Sequence, residues 1–191
     1  MIYGEAMTTR YALLLRGINV GGHHKLPMAA LRTLLTGLGH TDVATYLQSG
    51  NAVFTAAGGE GEEETAARIE QAVEDGFGFR PACLVRDAAY LRAVADACPY
   101  PAAELEPKQL HVIYFSAPVG AERFAGLDPA AFAPEDFRLG DRALYLYAPD
   151  GLGRSKLADA LARPALLKGL TATTRNWNTV VKLAELAATE G

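Results

Sequence analysis

The sequence predicts an α+β fold made of two ferredoxin-like, split βαβ halves in tandem. Two observations carry this reading. Over the first half, short apolar runs and helical stripes follow the order strand, helix, strand, strand, helix, strand. After a proline-punctuated stretch at residues 99–108 a similar order begins again, and 191 residues are enough for two small domains or one large one. The expected halves are residues 7–98 and 108–191. The second is expected to lack a clear final strand and to end in a helix.

The elements follow in order. Residues 10–16 read as a buried strand built on the apolar run Tyr11–Leu15. Pro27 suits a helix start, and Leu31, Leu34, Leu35 and Leu38 keep the i, i+3, i+4, i+7 spacing until Gly37 and Gly39 end it. Val43–Gln48 and Asn51–Ala56 flank Ser49-Gly50 as a hairpin. Glu62, Glu63 and Glu64 occupy the first turn of a helix whose stripe is Ala66, Ile69 and Val73. A short strand at Arg80–Arg86 completes the first set. Asp87 then caps a helix carrying Leu91, Val94, Ala95 and Cys98 on one face. In the second half the expected elements are a strand at Leu110–Phe115, a short helix at Ala121–Leu127 and a hairpin of Phe137–Leu139 with Ala143–Tyr147. A helix at Ser155–Leu161 follows, and Thr171–Thr174 leads into a last helix carrying Trp177, Val180, Val181 and Ala184.

Composition sets the broad class. Half the residues are hydrophobic and 21% are charged, an ordinary globular balance. No apolar run reaches the roughly 18 residues that a membrane helix needs, and the N-terminus lacks a signal-peptide pattern, so a cytoplasmic protein is expected. Met1–Ala6 are expected to form an unpacked leader. Cys83 and Cys98 have no partners at metal-ligand spacing and are expected to be reduced core residues.

The net charge of −4 conceals a segregation. Residues 7–41 hold Arg10, Arg16, Lys25 and Arg32 and no acid, and residues 151–183 hold six bases against Asp159 alone. Both basic stretches contain glycine-rich loops, which points to a basic face on an acidic body.

Two polar interruptions of apolar runs stand out. One is Arg16-Gly17-Ile18-Asn19-Val20-Gly21-Gly22-His23-His24-Lys25, and the other is Gln48-Ser49-Gly50-Asn51. Glycine lets backbone amides approach a ligand closely, while arginine, asparagine and glutamine supply directional donors, a chemistry suited to an anion or a polar base. In a sheet of order 4-1-3-2 the loop after the first strand and the hairpin between the second and third lie at one edge. The Phe77–Arg80 link is expected to join them there. Further along, Gly151–Lys156 opens a helix with Arg154, Ser155 and Lys156, and Arg175, Asn176 and Asn178 surround the start of the last helix. Turn and cap chemistry alone would also explain several of these residues.

Other chemistries find little support. Gly151–Lys156 lacks the spacing of a phosphate-binding P-loop. His23 and His24 are adjacent and diverge on either a strand or a helix, so no metal is expected, and no cofactor is implied. Ser49 lacks a nucleophile elbow, and no catalytic residue can be nominated. The second and third strands lack the basic-glycine-aromatic string of RNA-recognition domains.

The Tyr11–Gly22 stretch, the Tyr46–Asn51 hairpin, the Ser155-Lys156-Leu157 triplet and the Thr174–Thr179 segment together resemble the signatures of the bacterial domain-of-unknown-function family numbered 1697. The resemblance runs from Tyr11 to Leu183. It implies an α+β fold and leaves the activity open.

The candidate ligand-binding residues are therefore Arg16, Asn19, Lys25, Gln48, Ser49, Asn51, Arg154, Ser155, Lys156, Arg175, Asn176 and Asn178. The leading expectation is a binding module for a phosphate-bearing partner: RNA, DNA or a nucleotide. The alternatives are an enzyme acting on a small polar or phosphorylated metabolite in a cleft between the halves, and a protein interaction or self-association module.

Overall fold

A computed structural model describes residues 8–56 and 58–188; the expected leader at Met1–Ala6 lies outside them. The first set of elements is β1 (Thr9–Leu15), α1 (Met28–Gly37), β2 (Thr41–Tyr46), β3 (Asn51–Ala56), α2 (Glu62–Phe77) and β4 (Cys83–Asp87), followed by α3 (Ala88–Asp96). The second is β5 (Leu110–Phe115), β6 (Asp136–Gly140), β7 (Ala143–Tyr147), α4 (Lys156–Leu161), β8 (Ala172–Asn176) and α5 (Trp177–Ala188). Short 3-10 turns take the place of the helix expected at Ala121–Leu127.

Each set forms a four-stranded sheet, one of order β2-β3-β1-β4 and the other of order β6-β7-β5-β8. Every pairing is antiparallel. The second set therefore does have a final strand, contrary to the sequence reading. Its sequence, Ala-Thr-Thr-Arg-Asn, has no large apolar side chain, yet it pairs with β5 along its whole length, from His111 opposite Asn176 to Phe115 opposite Ala172. β-branched threonine fits a pleated surface, so the short Thr-rich run is a strand rather than a loop.

The chain divides into two compact units. Among the described residues, one takes those from 8 to 91 together with 183–188, and the other is Arg92–Lys182. The division falls inside α3 and α5. In the first unit Tyr11, Leu13, Leu15, Phe54 and Val85 pack with Leu31 and Leu35 of α1 and Ile69 and Val73 of α2. The alternate residues Ala12, Leu14, Val53 and Leu84 are buried too, which explains why β1 is a continuous apolar run rather than an alternating one. In the second unit Ile113, Phe115, Leu144 and Leu146 pack with Leu157 and Leu161 of α4.

One corner occurs twice. β4 passes into α3, and β8 into α5, with no intervening residue. Asp87 Oδ1 accepts from the Tyr90 amide at 2.7 Å, and Asn176 Oδ1 accepts from the Thr179 amide at 3.0 Å, each capping its helix. The residue before each cap is a buried arginine that donates to the carbonyl just behind it: Arg86 to Val85 at 2.8 Å and Arg175 to Thr174 at 2.9 Å. Arg86 also pairs with Glu62 at 3.2 Å and lies over the Tyr90 ring. Among the described residues no helix is long and apolar enough to cross a membrane.

Candidate functional site

The structure brings three loops of the first unit to one edge of its sheet. Asn19 is the clasp. It adopts a left-handed conformation with φ 54°, and its Nδ2 donates to the Leu26 carbonyl at 2.9 Å and to the Gln48 carbonyl at 2.8 Å. Its Oδ1 accepts from the Leu26 amide at 2.9 Å. These bonds close the loop after β1 on itself and tie it to the β2–β3 turn. Asparagine tolerates this conformation better than most residues. The Leu15 amide donates to the Gly50 carbonyl at 2.8 Å, and the Arg16 amide donates to the Ala82 carbonyl at 2.9 Å, which fixes the α2–β4 link beside the same loop. His24, with φ 51°, lays its ring on Phe79 at 4.7 Å between centroids and 16° between planes.

Gly50 is required where it stands. Its φ is 90°, and a Cβ there would come within 2.8 Å of both Leu15 Cβ and Ile18 Cδ1. The turn spans Leu47–Gly50, two residues longer on the β2 side than the expected Ser49-Gly50 hairpin. Leu47 itself is left-handed, with φ 60°.

The residues expected at this edge then divide. Arg16, Lys25, Gln48 and Ser49 are exposed. Asn51 is fully buried; its Nδ2 donates to the Tyr46 carbonyl and to Ser49 Oγ, each at 3.0 Å, so it holds the turn and does not face solvent. Asn19 spends its side chain on the loop.

Among the described residues, Arg16 is the one arginine of the first unit whose guanidinium has no hydrogen-bond or ion-pair partner in the chain. Arg10 donates to the Leu186 and Asp42 carbonyls, and Arg32 to Thr45 Oγ1 at 2.7 Å. Arg68 pairs with Glu60, Arg80 with Glu70 and Glu74, and Arg86 with Glu62. The positive charge read from residues 7–41 thus reduces at this edge to Arg16 and Lys25. Arg80 stands on the link as expected, but its charge is taken up by acids of α2.

The second unit treats its candidates differently. Ser155 is buried, and its Oγ caps α4 by accepting from the Ala158 amide at 2.8 Å. The Glu135 carboxylate accepts from the Ser155 hydroxyl, from the Lys156 amide at 3.1 Å and from the Leu157 amide at 3.3 Å. The helix start expected to receive an anion therefore already holds one from its own chain. Arg154 and Lys156 remain exposed beside a pocket of about 250 Å³ lined also by Phe132, Glu135 and Asp150.

Arg175 is 8% exposed, on a strand rather than at a helix mouth. It donates to Thr173 Oγ1 at 2.7 Å, and burial brings its guanidinium down to about 10, against the opposing influence of Tyr114. Asn176 caps α5, and Asn178 is exposed. Burial thus removes Asn51, Ser155 and Arg175 from the solvent-facing set.

Sequence reasoning overlooked the His24–Phe79 stack, the Glu135 cap and the exposed apolar residues at the loop edge. An apolar residue set between a strand and a polar turn, as Leu47 is, was the available signal. Cys83 is buried, and its thiol is pushed up chiefly by burial, an environment that disfavours the reactive thiolate. Among the described residues no group of three or more histidines, cysteines or acids comes together to hold a metal.

No curated protein sequence matches the chain. Its fold is similar to that of the conserved bacterial protein SP0830 from Streptococcus pneumoniae, with a TM-score of 0.75 at 23% identity over 95% of this chain and 99% of that one. The family model described as "Protein of unknown function (DUF1697)" matches residues 7–145, a span that includes the whole three-loop edge. The chain therefore belongs to the DUF1697 family.

Proposed function

We propose that the three-loop edge of the first unit binds a phosphate-bearing partner, RNA, DNA or a nucleotide, in a cytoplasmic setting. The observation that carries this is Arg16. A planar guanidinium left without an intramolecular partner, on loops whose backbone is fixed by hydrogen bonds, is available for bidentate contact with an oxyanion. Lys25 adds a second exposed cation on the same loop, and Gln48 and Ser49 supply neutral donors. Each unit reads as a ferredoxin-like half, so the edge is a set of loops on a rigid sheet, a common way to present a binding site.

The test is fluorescence anisotropy of a labelled single-stranded RNA at about 50 and 200 mM salt, where phosphate contacts lose affinity steeply. Binding that weakens at the higher salt, and that Arg16→Ala with Lys25→Ala abolishes while the protein stays folded, is expected. Equal affinity for wild type and variant would overturn the assignment.

A second reading is favoured by the pocket beside Arg154 and Lys156. Its size suits a small polar metabolite, and an enzyme or receptor for one would use it. Its lower rank follows from Glu135, whose carboxylate already occupies the backbone amides an anionic substrate would seek.

A further inference from the structure

This inference rests on the phosphate-binding reading and names the partner class. Among the described residues the large apolar side chains left in solvent include Val20 at 66% exposure, Leu47 at 53% and Phe77 at 37%. They stand at the same three-loop edge as Arg16 and Lys25: Val20 follows Asn19 on the loop that carries both cations, Leu47 precedes Gln48 in the β2–β3 turn, and Phe77 ends α2 two residues before the His24-stacked Phe79.

Leu47 departs from expectation twice. Its backbone is left-handed, a conformation that is unfavourable for a side chain with a Cβ and that glycine or asparagine would adopt more readily. Its side chain is then left more than half exposed, where it gains little burial within the chain. Strain combined with an exposed apolar group is a pattern of functional loops rather than of packing. His24 is a second exposed residue in a left-handed conformation at the same edge, and it carries a ring.

Cations flanked by apolar and ring surfaces suit a ligand in which phosphates alternate with flat apolar faces. A duplex keeps its base faces stacked inside, whereas a single strand offers them. We infer that this edge binds single-stranded nucleic acid, with phosphates on Arg16 and Lys25 and unpaired bases on Leu47, Phe77 and the His24–Phe79 pair. An apolar protein surface is the competing partner. The absence of any acid between residues 7 and 41 favours the polyanion.

The experiment compares a labelled single-stranded RNA with a duplex of the same length against wild type, Arg16→Ala, Leu47→Gly and Leu47→Gly with Phe77→Ala. Leu47→Gly suits the left-handed turn, so it keeps the fold while removing the side chain. The expected result is preference for the single strand, a loss of about fivefold or more in the double apolar variant, and a salt slope unchanged by the apolar substitutions but reduced by Arg16→Ala. Equal binding of both RNAs, or full single-strand affinity in both apolar variants, would overturn this inference. Loss of binding in Arg16→Ala would, in that case, still leave the phosphate reading standing. Absence of binding to either RNA would overturn both readings. If concentration-dependent self-association then disappeared in the apolar variants, the patch would be a protein contact.

Discussion

Asn19 Nδ2 stands 2.8 Å from the Gln48 carbonyl, joining two loops that are 29 residues apart in sequence. The same side chain satisfies both backbone groups of Leu26. Asn19→Ala removes all of these bonds and places a less tolerant residue at φ 54°. A loss of about 2–4 kcal/mol is expected in urea unfolding. Asn19→Gly restores the backbone preference without the bonds and is expected to fall between the two.

Gly50→Ala tests the packing beneath the loop. The new methyl meets Leu15 Cβ and Ile18 Cδ1 at 2.8 Å, and neither is the far end of a long flexible side chain. Destabilisation of about 2–4 kcal/mol is expected, combining overpacking with a left-handed backbone. Chemical denaturation, with RNA affinity measured in parallel, would separate a fold effect from a site effect.

His40 gives a pH dependence. It is 3% exposed, packs on Phe54 at 4.4 Å, and neither ring nitrogen has a hydrogen-bond partner among the described residues. Burial lowers its pKa most, Arg68 adds to this and Glu60 opposes it; burial lowers that of His111 as well. The unfolded chain therefore takes up protons first as the pH falls. Stability is complete above about pH 7 and declines as the pH drops through the ordinary histidine value of about 6.5 toward the folded one. Each tenfold difference in proton affinity is worth about 1.4 kcal/mol. The urea midpoint is expected to be lower at about pH 5.5 than at about pH 7.5, with a flatter dependence in His40→Leu.

Glu135 and Ser155 act as one cap on α4. Ser155→Ala is expected to cost about 1–2 kcal/mol, and Glu135→Ala about 1–3 kcal/mol because it strands backbone amides. The double variant should cost less than the sum, since the two share a contact, and a double-mutant cycle in thermal unfolding measures the difference.

Much of the first unit was legible because hydrophobic period and turn chemistry are local. The stripe Leu31, Leu34, Leu35 and Leu38 and the Asp87 cap depend on neighbours a few residues away. The meeting of the Arg16 loop with the Gln48 turn was legible through topology, since strand order fixes which loops share an edge. What escaped depends on tertiary burial. Nothing local distinguishes the exposed Arg16 from the buried Arg175, and Glu135 reaches Ser155 across 20 residues with no pattern to announce it. β8 was missed because its threonines look like turn residues until β5 lies beside them.

The corner between β4 and α3 has a mechanical meaning. Asp87 ends the strand and Ala88 begins the helix, so the joint has no slack. The chain just before that strand, at Ala82, is bonded to the Arg16 amide. A load applied at the loop edge would travel along five residues of strand and arrive at the axis of α3 without crossing a flexible linker. Inserting even one glycine between Asp87 and Ala88 would act as a decoupler, whereas the same insertion beside Gly58-Gly59 would fall in an already open turn.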